Sequence, residues 1–127
     1  MFNYRNEAAF SKAVCSHLRK NNWFVQRIET GSIGRGVPDI YAISPTGDAW
    51  WLELKRVHTT AYAKLHAKIP WRPGQQAWLH TASIYRQNVS TLVAFDDCIV
   101  VVSHEQIWQN DIINMSQCKK IPSISAL

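Results

Sequence analysis

The chain contains 127 residues, of which 46% are hydrophobic and 18% are charged, and its net charge is +5. This length and composition exclude a disordered tail and predict one domain, residues 1–127, with a substantial core. The longest apolar run, residues 98–102, is too short to cross a membrane, and residues 1–10 lack the apolar segment of a secretory signal. Three cysteines without a CxxC pair argue against a disulfide framework and a thiolate zinc site, so we expect a cytoplasmic protein.

The first part of the chain predicts a helix followed by three strands. Apolar residues recur at helical spacing over residues 10–18, and Asn3 or Asn6 is the candidate cap. The predicted strands cover residues 23–28, 39–44 and 49–56. Because the turn-forming residues 45–48 separate the last two strands, we expect these strands to form an antiparallel hairpin.

The second part predicts an irregular basic connection, a helix, two strands and a short last helix. The first four of these cover residues 57–74, 74–87, 91–95 and 98–103. Ser103 and Gln106 match a capping box at the start of the last helix, and the tail is predicted to be irregular from about residue 115. The order α β β β α β β α predicts an α/β fold with a mixed central sheet flanked by helices.

The charge is unevenly distributed along the chain. Residues 54–95 contain no carboxylate, although they contain six lysine and arginine residues. A segment of one sign attracts polyanions, of which nucleic acid is the usual one. A solvated basic face that only keeps the protein soluble is the alternative.

Glu53 and Lys55 lie two residues apart in a predicted strand, so their side chains project from the same face. The predicted hairpin returns Asp39 to their neighbourhood. Asp39 pairs directly with Glu53 or Lys55 if the connecting loop has three or five residues, which the turn sequence allows. Two carboxylates at such a distance repel each other unless a divalent cation binds between them, and Mg²⁺ or Mn²⁺ prefers these oxygen donors. The carbonyl of Leu54 is a further candidate ligand.

Two more polar residues lie on predicted inward faces. Glu7 shares the apolar face of the first helix, and Gln75 shares the face of the second helix. A buried carboxylate needs a partner, which a metal-bound water or Lys55 would supply. Alternatively, Glu7 only interacts with the helix dipole, and Gln75 is only an amide near a cap.

These residues resemble the PD-(D/E)XK nuclease superfamily. The resemblance rests on Gly36-Val37-Pro38-Asp39, a spacing of thirteen residues, and Glu53-Leu54-Lys55. Glu7 upstream and Gln75-x-x-Trp78 downstream make the chain most similar to the VRR-NUC branch, and archaeal Holliday-junction resolvases share much of the pattern. The resemblance implies a restriction-endonuclease-like core in which Asp39 and Glu53 bind Mg²⁺, Lys55 assists the attacking water, and Glu7 and Gln75 complete the site.

The expected partner is DNA, with no nucleotide cofactor and no membrane. We predict that basic residues beside the site contact the DNA backbone: Arg35, Arg56, Lys64, Lys68 and Arg72. A domain of this size favours recognition of branched DNA over a long target sequence, and symmetric cleavage of a junction needs a homodimer. The apolar residues Ile112, Ile113 and Met115 are a candidate interface, and Trp71 either stacks on an unpaired base or anchors its loop.

The sequence leaves three alternative functions open, and the resemblance also implies a biological source for the protein. The chain is either a structure-selective nuclease, a sequence-selective restriction or homing endonuclease, or a non-catalytic DNA-binding module of the same fold. A small stand-alone nuclease of this kind resembles those of phages and mobile elements, which would act in the host cell.

Overall fold

The computed structural model describes residues 4–28, 36–61, 66–107 and 112–121. Their helices and strands are, in chain order, α1 (Glu7–Lys20), β1 (Phe24–Arg27), β2 (Ile40–Ile43), β3 (Ala49–Arg56), β4 (His66–Lys68), α2 (Gln75–Ile84), β5 (Asn88–Ala94), β6 (Ile99–Val102), α3 (His104–Ile107), β7 (Ile112–Asn114) and β8 (Lys119–Ile121). A short 3₁₀ helix, Met115–Gln117, precedes β8. In the part of the chain that the structure describes, no helix is both long and apolar enough to span a membrane.

The central sheet has six strands in the order β1-β2-β3-β5-β6-β8. Neighbouring strands are antiparallel except for β3 and β5, which are parallel, so the sheet is mixed. α1 covers an apolar core on one face, whereas α2 belongs to a second core that also includes residues of β4 and β7. The predicted α/β architecture is therefore confirmed.

The ends of α1 follow from its sequence. Asn6 caps the first turn, because its side-chain oxygen accepts a hydrogen bond of 2.8 Å from the amide of Ala9. The buried residues Phe10, Val14 and Leu18 form the face that packs on the sheet. The helix ends at Lys20 with Asn21 as its C-terminal cap, and Asn22 follows with a φ of 66° that turns the chain toward β1.

The hairpin of β2 and β3 forms as predicted and sets the register of the site. Ile40 pairs with Leu52, and β3 covers the predicted residues 49–56. Continued by one residue, this register places Asp39 opposite Glu53. Gly47 occupies the turn with a φ of +92°, which a residue without a side chain adopts most easily.

The last segment of the chain differs from the prediction of an irregular tail. β8 pairs with β6 at the edge of the main sheet, and β7 pairs with β4 in a separate two-stranded sheet. β4, β7 and β8 have only three residues each, which is too short to produce a clear alternating pattern in the sequence. Ile113 and Met115 are fully buried in the chain's own core, so the proposed dimer interface around them is wrong; only Ile112 is exposed.

The structure also tests the predicted end of α2 and the predicted start of α3. α2 ends at Ile84 rather than at residue 87. The predicted start of α3 is confirmed, and one of the two bonds of the capping box forms: the amide of Ser103 donates a hydrogen bond of 3.1 Å to Oε1 of Gln106.

Candidate active site

The second half of β3 carries two charged side chains into the interior. Glu53 and Lys55 are each 1% exposed, although charged residues are rarely buried to this extent without a special role. α2 begins beside them with Gln75, which is also buried, and α1 begins nearby with Glu7. Asp39 lies just before β2, so the five residues predicted for the site converge from four separate segments.

The backbone of β3 holds Asp39 in place. Its Oδ2 accepts a hydrogen bond of 3.0 Å from the amide of Leu54. Because the amide and carbonyl of one strand residue point to the same side, the carbonyl of Leu54 faces the side on which Asp39 lies. The structure thus brings a carboxylate and a backbone carbonyl together at the start of β2.

Glu53 is held at one oxygen and unpaired at the other. Gln75 donates a hydrogen bond of 3.0 Å from Nε2 to Oε1 of Glu53. Oε2 is buried and has no hydrogen-bond partner in the described part of the chain. Burial, and secondly the negative charge of Asp39, raises the pKa of Glu53 to about 9. Without a cation, this raised pKa favours the protonated form of the carboxyl group.

Lys55 lies between two carboxylates. Its Nζ is 3.9 Å from Oε1 of Glu53 and 4.0 Å from Oε1 of Glu7. It also lies 5.7 Å from the ring centre of Trp71, within the range of a cation–π contact. Burial lowers the pKa of Lys55, which the neighbouring negative charges oppose.

Two glycines join the loop before Asp39 to the start of α2. Gly36 and Gly74 both have positive φ, +82° and +87°. A Cβ on Gly36 would lie 2.4 Å from the carbonyl oxygen of Gly74, so no side chain fits between the two backbones. Gln75 extends this connection, because its Oε1 accepts a hydrogen bond of 2.8 Å from the amide of Arg72.

A cavity of about 260 Å³ opens beside these groups. Arg72 stands at its wall, where Nη2 lies 3.3 Å from Oε2 of Glu7 while the side chain stays 70% exposed. The cavity is lined by Glu7, Ala8, Ser11, Arg27, Ile28, Asp39, Leu54 and Arg72. The lining therefore includes the carboxylates of Glu7 and Asp39 and the exposed guanidinium groups of Arg27 and Arg72, whereas the buried Glu53 and Lys55 do not line it.

The donor set at this cavity fits a hard divalent cation. Asp39 and Glu53 supply carboxylate oxygens, the Leu54 carbonyl supplies a third, and the unpaired Oε2 of Glu53 is the group that a cation would satisfy. Within the described ranges, no cluster of three or more His, Cys, Asp or Glu side chains has the arrangement of a metal site. Water and phosphate oxygens would have to complete the coordination shell, as is usual for Mg²⁺.

The structure agrees with some of the predicted DNA contacts and contradicts one of them. The side chain of Arg56 is 2% exposed and donates hydrogen bonds to Asp96 and to the carbonyls of Tyr4 and Val57, so it is not available to DNA and that prediction is wrong. Lys68 is exposed on β4, and Arg72 reaches the cavity. Arg35 and Lys64 lie outside the described residues.

Three features of the site were left open or were not predicted. The sequence left two roles open for Trp71. In the structure Trp71 packs against the core beside Lys55, which supports its role as an anchor of the loop. The ion pair of Arg72 with Glu7 joins residues 65 positions apart and leaves no sequence signal. The contact of Gly36 with Gly74 was also not predicted. The glycine directly before the site residue Gln75 was a sequence signal for a close approach of two backbones at this point.

Comparison with known proteins identifies the fold. The mixed sheet, the two helices and the hairpin match the restriction-endonuclease-like fold. A similar solved structure is Hjc, a Holliday junction resolvase from the archaeal hyperthermophile Archaeoglobus fulgidus, with a TM-score of 0.66 and 12% sequence identity. The alignment covers 93% of this chain and 98% of the resolvase. No family model and no curated protein sequence matches the chain, so the VRR-NUC assignment stays a prediction.

Proposed function

We propose that the protein is a metal-dependent endonuclease that hydrolyses phosphodiester bonds in branched DNA. The observation that carries this proposal is the unpaired, buried oxygen of Glu53 beside Asp39 and Lys55, next to a cavity that Asp39 and Leu54 line. A buried carboxylate with a missing partner and a neighbouring carboxylate is costly for the fold, and it is the arrangement that a divalent cation stabilises. Mg²⁺ is the proposed cation, and Mn²⁺ is expected to substitute.

Asp39 and Glu53 would hold the cation together with the Leu54 carbonyl. When bound, the cation supplies a Lewis acid that neutralises charge on the scissile phosphate. Gln75 keeps Oε1 of Glu53 occupied, so that Oε2 stays directed away from the hydrogen-bond network. Lys55 orients the attacking water and stabilises the developing negative charge. Its ammonium group is buried, and a positive charge that bulk water does not screen stabilises a neighbouring negative charge more strongly. Glu7 positions Lys55 from the opposite side.

Arg72 is the proposed contact to the DNA backbone nearest the reaction. It is exposed, it lines the cavity, and its guanidinium offers further donors beyond the one near Glu7. Lys68 remains a proposed backbone contact on β4, as do Arg35 and Lys64 from the sequence. The similarity of the fold to a Holliday junction resolvase supports a preference for branched DNA.

Membership of the VRR-NUC branch, assembly as a homodimer, a cytoplasmic location and a phage source belong to the same proposal. A homodimer would supply the two sites that symmetric cleavage of a four-way junction requires. Size-exclusion chromatography with light scattering, in the presence and absence of a junction, tests this assembly.

A cleavage assay tests the activity. Four-way junction, flap, single-stranded and linear duplex DNA are incubated with Mg²⁺ or Mn²⁺. Wild-type protein is expected to cleave the junction or flap, and Asp39→Ala is expected to abolish cleavage while leaving binding in EDTA largely intact. Asp48→Ala is the matched control, because Asp48 lies exposed in the hairpin turn.

The outcomes separate the alternatives. Cleavage of linear duplex at one fixed site would favour a sequence-selective endonuclease. Binding of DNA without cleavage of any substrate would favour a non-catalytic DNA-binding module. Cleavage that survives in Asp39→Ala would show that the site is assigned to the wrong residues.

A further inference from the structure

A second basic surface lies on the edge of the molecule that α1 and β1 form. It is a groove of about 430 Å³, and none of its lining residues belongs to the basic segment 54–95. Four exposed cations and two small residues line this α1/β1 groove: Lys12, Cys15, Ser16, Arg19, Lys20 and Arg27. No carboxylate of the described residues lines it.

The cations of the groove are not used for folding contacts with acidic side chains. In the ranges that the structure describes, none of the four forms an ion pair with a carboxylate. Arg19 donates one hydrogen bond of 3.3 Å to the carbonyl of Val25, which fixes its guanidinium against β1. The positive charges of Arg19 and Arg27 both act on the thiol of Cys15 at the base of the groove. The groove thus concentrates positive charge that has no acidic partner within the described chain.

The groove adjoins the cavity of the proposed active site. Arg27 lines both, and the cavity also contains Glu7, the first residue of α1. From there α1 runs along the groove, with Lys12 and Lys20 two turns apart on its exposed side. Eight residues of helix correspond to about 12 Å, which matches the rise of about three to four phosphates along one DNA strand.

We propose that the α1/β1 groove binds the phosphate backbone of the DNA arm that leaves the catalytic cavity. This proposal rests on the proposed function, because it identifies a second part of the DNA-binding surface of the same enzyme. Phosphate is the ligand that the groove favours, since the lining is cationic and the proposed substrate of the adjoining cavity is a polyanion. These contacts fix the orientation of the arm and carry no base sequence information.

A pair of charge-matched double variants tests the groove. Lys12→Gln with Lys20→Gln removes two positive charges from the groove. Arg86→Gln with Lys119→Gln removes two exposed positive charges elsewhere: Arg86 follows α2, and Lys119 lies in β8 at the opposite edge of the sheet. Binding to a fluorescent four-way junction is measured in EDTA over a series of salt concentrations, and thermal unfolding confirms that both variants are folded.

The groove variant is expected to reduce the slope of log K against log salt by about 1.8, at about 0.9 for each phosphate that the variant no longer neutralises. The control variant is expected to keep the wild-type slope. Equal slopes for the groove variant and wild type would overturn the proposal, and so would an equal reduction in both variants, because the effect would then reflect net charge alone.

The same proteins separate this proposal from the proposed function. If wild type cleaves DNA but the slope of the groove variant is unchanged, the nuclease stands and the groove is excluded. If wild type cleaves nothing but the groove variant alone reduces the slope, the groove stands and the enzyme is excluded. If wild type does not bind DNA at all, both fail.

Discussion

Lys55 and Arg56 are neighbouring buried cations at the end of β3, and their surroundings are opposite. On one face, Arg56 lies 2.7 Å from Asp96 and donates three further hydrogen bonds to the carbonyls of Tyr4, Val57 and Ala94. On the other face, the nearest carboxylate oxygens to Lys55 lie at 3.9 and 4.0 Å, longer than a hydrogen bond. Beside it, an oxygen of Glu53 has no partner in the described chain.

The difference separates a charge with a structural role, Arg56, from one for which we propose a catalytic role, Lys55. A buried charge that is fully hydrogen-bonded fixes the packing of the elements around it, and its loss leaves those partners unpaired. A buried charge with incomplete partners is unfavourable for stability, and it is retained where a ligand or a reacting group completes the set. Exposure alone does not distinguish the two, since both residues are almost fully buried.

Removing Arg56 should produce the largest change in stability. Arg56→Met leaves Asp96 and three carbonyls without their donor, which should cost about 3 kcal/mol, the lower part of the range for a broken buried pair because Asp96 is 42% exposed. Thermal denaturation should show a melting temperature lower by roughly 10 °C. Arg86→Met is the control at an exposed arginine, and a melting temperature equal to that of wild type in Arg56→Met would remove the structural role.

Removing Lys55 should affect activity rather than stability. Lys55→Met keeps the apolar stem and removes a poorly partnered charge, so the melting temperature should stay the same or rise. The rate of cleavage should fall by about 10² to 10³, the range for losing one electrostatic stabiliser of a transition state. A stability loss as large as that of Arg56→Met would contradict the contrast between the two residues.

The raised pKa of Glu53 predicts that metal binding depends on pH. The cation binds the ionised carboxylate, which is the minor form below the raised pKa, so binding must release a proton. The affinity for Mn²⁺ should therefore rise with pH between about pH 6 and pH 8, by up to about tenfold per unit. Calorimetry in buffers of different ionisation enthalpy measures both quantities, and a constant affinity without proton release would disprove the protonated state.

Glu53→Gln should change stability only slightly, and the direction of the change is the informative part. Because the pKa of Glu53 is raised in the fold, wild type releases a proton on unfolding at neutral pH, whereas the amide does not ionise; the metal-free variant should therefore gain about 1 kcal/mol of stability, or roughly 4 °C in melting temperature. Cleavage should be lost. Glu105→Gln, at an exposed position in α3, should change neither quantity. A less stable Glu53→Gln protein would mean that the wild-type carboxyl is already satisfied.

The sequence predicted the parts of the site that depend on local pattern. The turn at 45–48 and the alternation in β3 placed Asp39 opposite Glu53 or Lys55, and the observed register selects Glu53. The inward faces of α1 and α2 likewise predicted the positions of Glu7 and Gln75. These positions agree with the structure, whereas the catalytic roles of the residues stay predictions.

The features that the sequence did not predict depend on contacts between residues that are distant in the chain. Arg56 was expected to face DNA because its partner Asp96 lies 40 positions further along the chain, where no local pattern connects the two. β4 and β7 stabilise each other across a similar separation, and each is too short to be recognised alone. The α1/β1 groove was missed because its cations are interspersed with apolar residues and come from two elements.

The parallel pairing of β3 with β5 also affects when the site forms during folding. A parallel pair requires a crossover connection, and here the crossover contains α2 with Gln75. The contact of Arg72 with Glu7 spans 65 positions, and contacts of such long range are slow to form. The hairpin with Asp39 and Glu53 is local and can form early, whereas Gln75 and Arg72 reach the site only once the crossover has packed. A chain with an unpacked crossover therefore carries the acidic pair without the amide that holds Glu53 and without the guanidinium group of Arg72 beside the cavity.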